Sequence, residues 1–67
     1  IAEFEFEVVS PQRLTILTGT SHVIFPFNKS IVFSSEIGAR IKVKYGYKED
    51  GAGAFYVTEM IGAWSSL

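Results

Sequence analysis

The sequence contains no cysteine and a single histidine, His22, among its 67 residues. Disulfide bridges are therefore excluded, and so is a metal site built from thiolates or paired imidazoles. Domains of about this length bury roughly 60% of the surface their unfolded chains expose, and many add such cross-links for that reason. Here stability has to come from apolar packing. Proline is confined to Pro11 and Pro26. Uninterrupted apolar runs are a few residues long, far short of the about 20 that a helix needs to cross a bilayer. Neither sign of charge dominates, with six Lys and Arg against seven Asp and Glu and a formal net charge of −1. That balance argues against duplex DNA or an anionic membrane as partner, since both favour clustered basic residues. It also gives little protection against self-association. No secretory leader is visible, because Ile1-Ala2 leads at once into acidic alternation. With no initiating Met, the chain is expected to be a segment of a longer protein, and nothing in it assigns a compartment.

What is present is apolar and aromatic: 48% hydrophobic residues, with six Phe, three Tyr and one Trp. The best-determined stretch is Ala39 to Gly62, which reads as a β-hairpin. In its first arm Ile41, Val43, Tyr45 and Tyr47 fall on one face and Arg40, Lys42 and Lys44 on the other. Such period-2 alternation is what a strand with one buried face requires. Asp50-Gly51 and Gly53 supply the turn, where short hairpins need positive φ angles.

A second alternating run opens the chain. Phe4, Phe6 and Val8 would face the core, and Glu3, Glu5 and Glu7 would face out. Those carboxylates complement Arg40, Lys42 and Lys44. Opposite charges across neighbouring strands contribute roughly 0.2–1 kcal/mol per pair, so the two runs either pair or stand as separate solvated faces. Between them, Leu14 to Thr18, His22 to Phe25 and Ile31 to Phe33 read as short strands. Ser10-Pro11-Gln12, Gly19-Thr20-Ser21, Pro26 and Asn28-Lys29-Ser30 separate them. Ser34 to Gly38 is a loop or a single helical turn with Ser35 as N-cap. No window carries a sustained helical period. Five or six short strands in so few residues predict an all-β domain, residues 1–67, shaped as a small antiparallel barrel.

The run Ile37-Gly38-Ala39-Arg40-Ile41-Lys42-Val43, with Gly51 and Phe55-Tyr56-Val57-Thr58-Glu59-Met60-Ile61, resembles the last two strands of OB-fold domains. In that fold the first strand lies beside the fourth, which agrees with the matching of the Glu and Lys rows. The resemblance implies an OB-like barrel and a capacity to bind single-stranded nucleic acid. An SH3-like barrel is the alternative topology.

Catalytic chemistry has no foothold. His22 has no partner base or nucleophile in sequence and reads as a polar residue at a strand end on the surface. Glu3, Glu5 and Glu7 share one environment, so nothing drives their titrations apart as an acid–base pair needs. Gly51-Ala52-Gly53 joins two strands and precedes no helix, which excludes a phosphate loop. The chain is expected to be non-enzymatic, with no cofactor, metal or small-molecule substrate. The second hairpin arm is apolar on both alternating faces, Phe55, Val57 and Ile61 against Tyr56 and Met60. A small barrel has one interior, so an exposed contact surface of Phe55, Tyr56, Met60 and Trp64 is expected. Trp64 is read in two ways, as an exposed anchor or as a cap over Met60 at the barrel end. The leading expectation is a protein-interaction or assembly module within a larger protein. The alternative is single-stranded nucleic-acid binding through Arg40, Lys42, Lys44, Tyr45, Tyr47 and Tyr56, with aromatic platforms in a basic groove.

Overall fold

The alternating runs become strands in the computed structural model, which describes residues 3–19 and 22–67. The expected turn at Gly19-Thr20-Ser21 lies partly outside those residues. Seven strands follow in order: β1 Glu3–Glu7, β2 Leu14–Leu17, β3 Ile24–Phe25, β4 Ile31–Ser34, β5 Arg40–Tyr47, β6 Gly53–Ile61 and β7 Ser65–Ser66. The described residues form no helix. The domain is all-β.

Charge complementarity is realised in the pairing of β1 with β5. Their antiparallel register sets Glu3 opposite Lys44, Glu5 opposite Lys42 and Glu7 opposite Arg40. Arg40 lies 3.5 Å from both Glu5 and Glu7. The Glu7 contact is a hydrogen bond, whereas the buried Nε faces Glu5 without hydrogen-bond geometry. All three side chains are nearly half exposed, so each pair contributes under about 1 kcal/mol. Their effect is on register, because a one-residue slip would turn the Phe4 face outward.

β5 continues into the expected hairpin. Gly51 takes φ +85°, Gly51 N–H donates to the Lys48 carbonyl at 2.9 Å, and Ala52 N–H donates to Asp50 Oδ1 at 2.9 Å. Gly53 differs from the expectation. It lies in β6, and glycine is required there because a Cβ would collide with the Tyr45 ring and hydroxyl. Between Lys42 and Val43 the ladder shifts, so that Thr58 is an extra residue in β6. This bulge accounts for a strand that reads apolar on both faces. Val43 pairs with Val57 and Ile41 with Met60, so Phe55, Val57 and Met60 share the inner face. Tyr56 and Ile61 go with Lys44 and Arg40 on the outer face. A strict two-residue period put Met60 with Tyr56 and Ile61 with Val57; the bulge reverses both.

The barrel does not close. The seven strands form two sheets, ordered β1-β5-β6-β3 and β2-β4-β7. One pairing also departs from the antiparallel expectation, since β3 runs parallel to β6 with Ile24 beside Phe55. Pro26 and the turn at Asn28, φ +57°, cut β3 to two residues, too few to carry a ladder into the second sheet. The segment expected as a loop or a helical turn is a loop: Ala39 N–H donates to the Glu36 carbonyl, Ser34 rather than Ser35 receives the Glu36 N–H, and Gly38 takes φ +90°.

The core lies between the sheets. Val8, Ile41, Val43 and Ile24 from the larger sheet meet Ile16, Val32 and Trp64 from the smaller side. Ile41, Val32 and Ile24 are its largest fully enclosed side chains. Replacing Ile41 with Ala should therefore cost about 2–5 kcal/mol, whereas Ile37→Ala, at a position 62% exposed, should stay within about 0.5 kcal/mol. Gly53→Ala should cost about 1–3 kcal/mol by displacing Tyr45. Urea midpoints of the three variants, set against the parent domain, check all three values.

Candidate interaction surface

Phenylalanine does not enter the enclosed core. All six Phe lie among the described residues and every one is half-buried or exposed. Aliphatic side chains and Trp64 fill the interior, and the other aromatic rings line its margin. On the inner face of the larger sheet they form a continuous path. Phe4 and Phe55 have centroids 6.3 Å apart, Phe55 and Tyr45 5.1 Å, and Tyr45 and Tyr47 5.6 Å, the last two edge-to-face. Such pairs contribute about 0.5–1.5 kcal/mol beyond the area they bury.

His22 belongs to this path. Its ring sits 5.9 Å from Tyr45 and 6.2 Å from Phe55, and its Nε2 is 3.5 Å from the Tyr45 hydroxyl. Its carbonyl accepts hydrogen bonds from the hydroxyls of Thr18, 3.0 Å, and Ser30, 2.6 Å. The reading of His22 as a surface strand-end residue is therefore corrected to a half-buried ring packed on aromatics. Strand parity carried the signal, since His22 falls two residues before Ile24, which is 1% exposed.

Where Phe4 and Phe55 approach the second sheet, a groove of about 200 Å³ opens between β1 and β2. Phe4, Phe6, Val43 and Phe55 form one wall, with Ile24 at its base, and Ile16, Leu17 and Thr18 form the other. Phe4, expected in the core, is 44% exposed on this lip, and Leu17 is 68% exposed across from it. Both strands are the outermost of their sheets. The groove is thus the seam at which the two sheets fail to join, and among the described residues each lip carries an unpaired strand edge.

The outer face of the same sheet is polar. Four carboxylates, Glu3, Glu5, Glu7 and Glu59, flank three cations, Arg40, Lys42 and Lys44. Lys42 lies between Glu5 and Glu59, and Arg40 is held by Glu5 and Glu7. Phe25 and Tyr56 stack here with centroids 5.5 Å apart. A wide depression of about 620 Å³ over Gly46 and Thr58 is edged by Lys44 and Tyr56, with Tyr45 and Tyr47, whose rings belong to the inner face, at its margin.

The residues expected to form an assembly surface are dispersed. Phe55 lines the groove, Tyr56 stacks on the opposite face, and Met60 is 46% exposed near the end of β6. Of the two readings of Trp64 the inward one holds, and the exposed anchor is corrected to a core residue. It is 9% exposed, packs among the core side chains, and its Nε1–H donates to the Ile61 carbonyl at 3.2 Å. β7 draws the tail inward by pairing with β4. Met60 nevertheless stays uncovered. Of the nucleic-acid set, Lys44 and Tyr56 share the outer face and Tyr45 and Tyr47 lie on the inner one, while Arg40 is engaged by Glu5 and Glu7 and Lys42 stands in register with Glu5 and Glu59. The sequence reading missed Phe4 and Leu17 as surface residues.

No protein-family model, curated protein or solved structure matches the chain. The surface has to be read from its own chemistry.

Replacing Trp64 with Ala should cost about 3–5 kcal/mol, the usual loss for a large aromatic taken from a core. Met60→Ser should cost well under half of that. Denaturant titrations followed by far-UV circular dichroism compare the two.

Proposed function

We propose that the domain is a non-enzymatic protein-interaction module of a larger protein, binding through the apolar seam between its two sheets. One observation carries this reading: large apolar side chains, Phe4 and Leu17 foremost, stand exposed around a groove whose walls are otherwise core residues. Exposed apolar patches with a polar rim are the surface signature of protein contacts. In shape we read an open OB-like barrel. The pairing of β1 with the first arm of the hairpin favours that topology over the SH3-like one, and the seam is where the barrel parts.

Single-stranded nucleic acid is the second reading, and the depression around Lys44, Tyr47 and Tyr56 favours it. Stacking contributes about 1–3 kcal/mol per base. The interleaved carboxylates work against it, because a strand of phosphates would meet four negative side chains on the same face as three positive ones.

The two readings separate by salt. The apolar dye anilinonaphthalene sulfonate should bind the native domain saturably, persist in high salt, and bind less well to Phe4→Ser. A labelled oligothymidylate should not bind at physiological salt. Oligonucleotide binding that falls steeply with salt and disappears when Lys42 and Lys44 become Glu would replace the first reading with the second. Sedimentation equilibrium at low and high salt tells self-association from docking onto a different protein.

A further inference from the structure

β1 ends its sheet with a free edge. Val8 N–H donates to the Ala39 carbonyl at 2.9 Å, and the Val8 carbonyl accepts from Gly38 N–H at 2.8 Å. In an antiparallel ladder the residues bonded to the neighbour alternate with those facing away. Val8 therefore sets Phe4 and Phe6 toward β5, and the backbone groups of Glu5 and Glu7 toward the open side. The same logic applies to β2, where Thr18 N–H donates to the Ser30 carbonyl at 3.1 Å. Thr15 and Leu17 then present their backbone groups to the seam.

A strand laid along β1 would meet two chemistries at once. Its inward side chains would sit over Phe4 and Phe6 in the apolar groove, with Leu17 at the far lip. Its outward side chains would stand directly beside Glu3, Glu5 and Glu7. The cations that partner those carboxylates lie one strand further in, on β5. The next row outward is thus an acidic one with its far side open, and a basic row fits there.

A second copy of this chain does not fit. Antiparallel pairing of two β1 edges would bring the carboxylate rows of both copies together, and like charges placed opposite one another are destabilising. The row that guards the edge against self-pairing is the row that selects a cationic partner.

Resting on the reading of the domain as an interaction module, we infer that its ligand is an extended protein segment in which Lys or Arg alternates with aliphatic residues. The segment adds as a strand to the open edge of β1 and seats its aliphatic side chains in the seam. Main-chain hydrogen bonds supply affinity in this mode, and the alternate side chains supply specificity.

The test is titration of the domain with two synthetic peptides of equal length, one alternating Lys with Val and one alternating Glu with Val. Binding is followed by fluorescence anisotropy and by amide chemical shifts. The Lys–Val peptide should bind saturably, shift and protect the amides of Glu5, Glu7 and Leu17, and weaken as salt rises. The Glu–Val peptide should bind at least tenfold more weakly. Leu17→Asp, at a position 68% exposed, should keep the fold and lose at least tenfold in affinity for the Lys–Val peptide. Equal binding of both peptides, or shifts centred away from β1 and β2, overturns the inference and leaves the module reading standing. Failure of both peptides while the dye still binds the native domain does the same. Failure of both peptides together with failure of the dye overturns both readings.

Discussion

Everything in this domain hangs on β5, the strand that carries cations on one face and enclosed aliphatics on the other. Ile41 and Val43 set the depth of the core, with β1 paired on one side of them and β6 on the other. The register with β1 is over-determined. A slip by one residue would lift Phe6 out of contact with the core and would also set the carboxylates out of step with Lys42 and Lys44. Neither effect is large alone, since exposed ion pairs contribute under about 1 kcal/mol. Acting on the same degree of freedom, they define one alignment. Local pattern and tertiary pairing agree there, and such agreement is what lets so short a chain specify a fold.

Size bears on why the phenylalanines lie at the margin once Trp64 has taken its place in the core. A chain of this length encloses only a small volume, and a ring needs more of it than a valine or an isoleucine. Val8, Ile16, Ile24, Val32, Ile41 and Val43 occupy the interior together with Trp64. The phenylalanines are left at its margin, where Phe6, Phe27 and Phe55 pack against the core and Phe4 and Phe25 against neighbouring rings. Phe33 is met instead by a cation, with the Arg13 guanidinium 3.6 Å above its ring. An aromatic margin is therefore a geometric consequence of composition and length, and it leaves the domain with contact surface.

The parts legible in the sequence were those governed by alternation. The β1 and β5 faces, their matched charges and the Asp50-Gly51 turn all follow from neighbours in the chain. Features set by one inserted residue or by enclosure were not legible. The bulge at Thr58 reverses the faces of Met60 and Ile61, and a threonine in a strand carries no mark that it is the extra residue. Trp64 follows Gly62-Ala63 in a short tail, and its burial goes with the pairing of β7 and β4. Phe4 alternates correctly and even points inward; what alternation could not reveal was that the opposing sheet would leave it uncovered. The candidate site sits in this gap. Of its walls, Phe4, Phe6 and Val43 read as core and Phe55 as contact surface, and the groove arises where that core is left incomplete.

Incompleteness of this kind has to be stable to be useful. An open seam with two free strand edges invites any strand to pair, and most natural edges are blunted for that reason. Here the protection is chemical. On β1 the outward row is acidic along its whole length, so strands carrying carboxylates or another copy of β1 are repelled before their backbones can align. On β2 the edge is only four residues long, and Thr15 and Leu17 both lie exposed on it. Short length limits how many ladder bonds an intruder can form there. On the proposed reading, the seam would discriminate by charge along β1 and by reach along β2. A strand that satisfies both must be cationic on one face, aliphatic on the other, and held between the two edges.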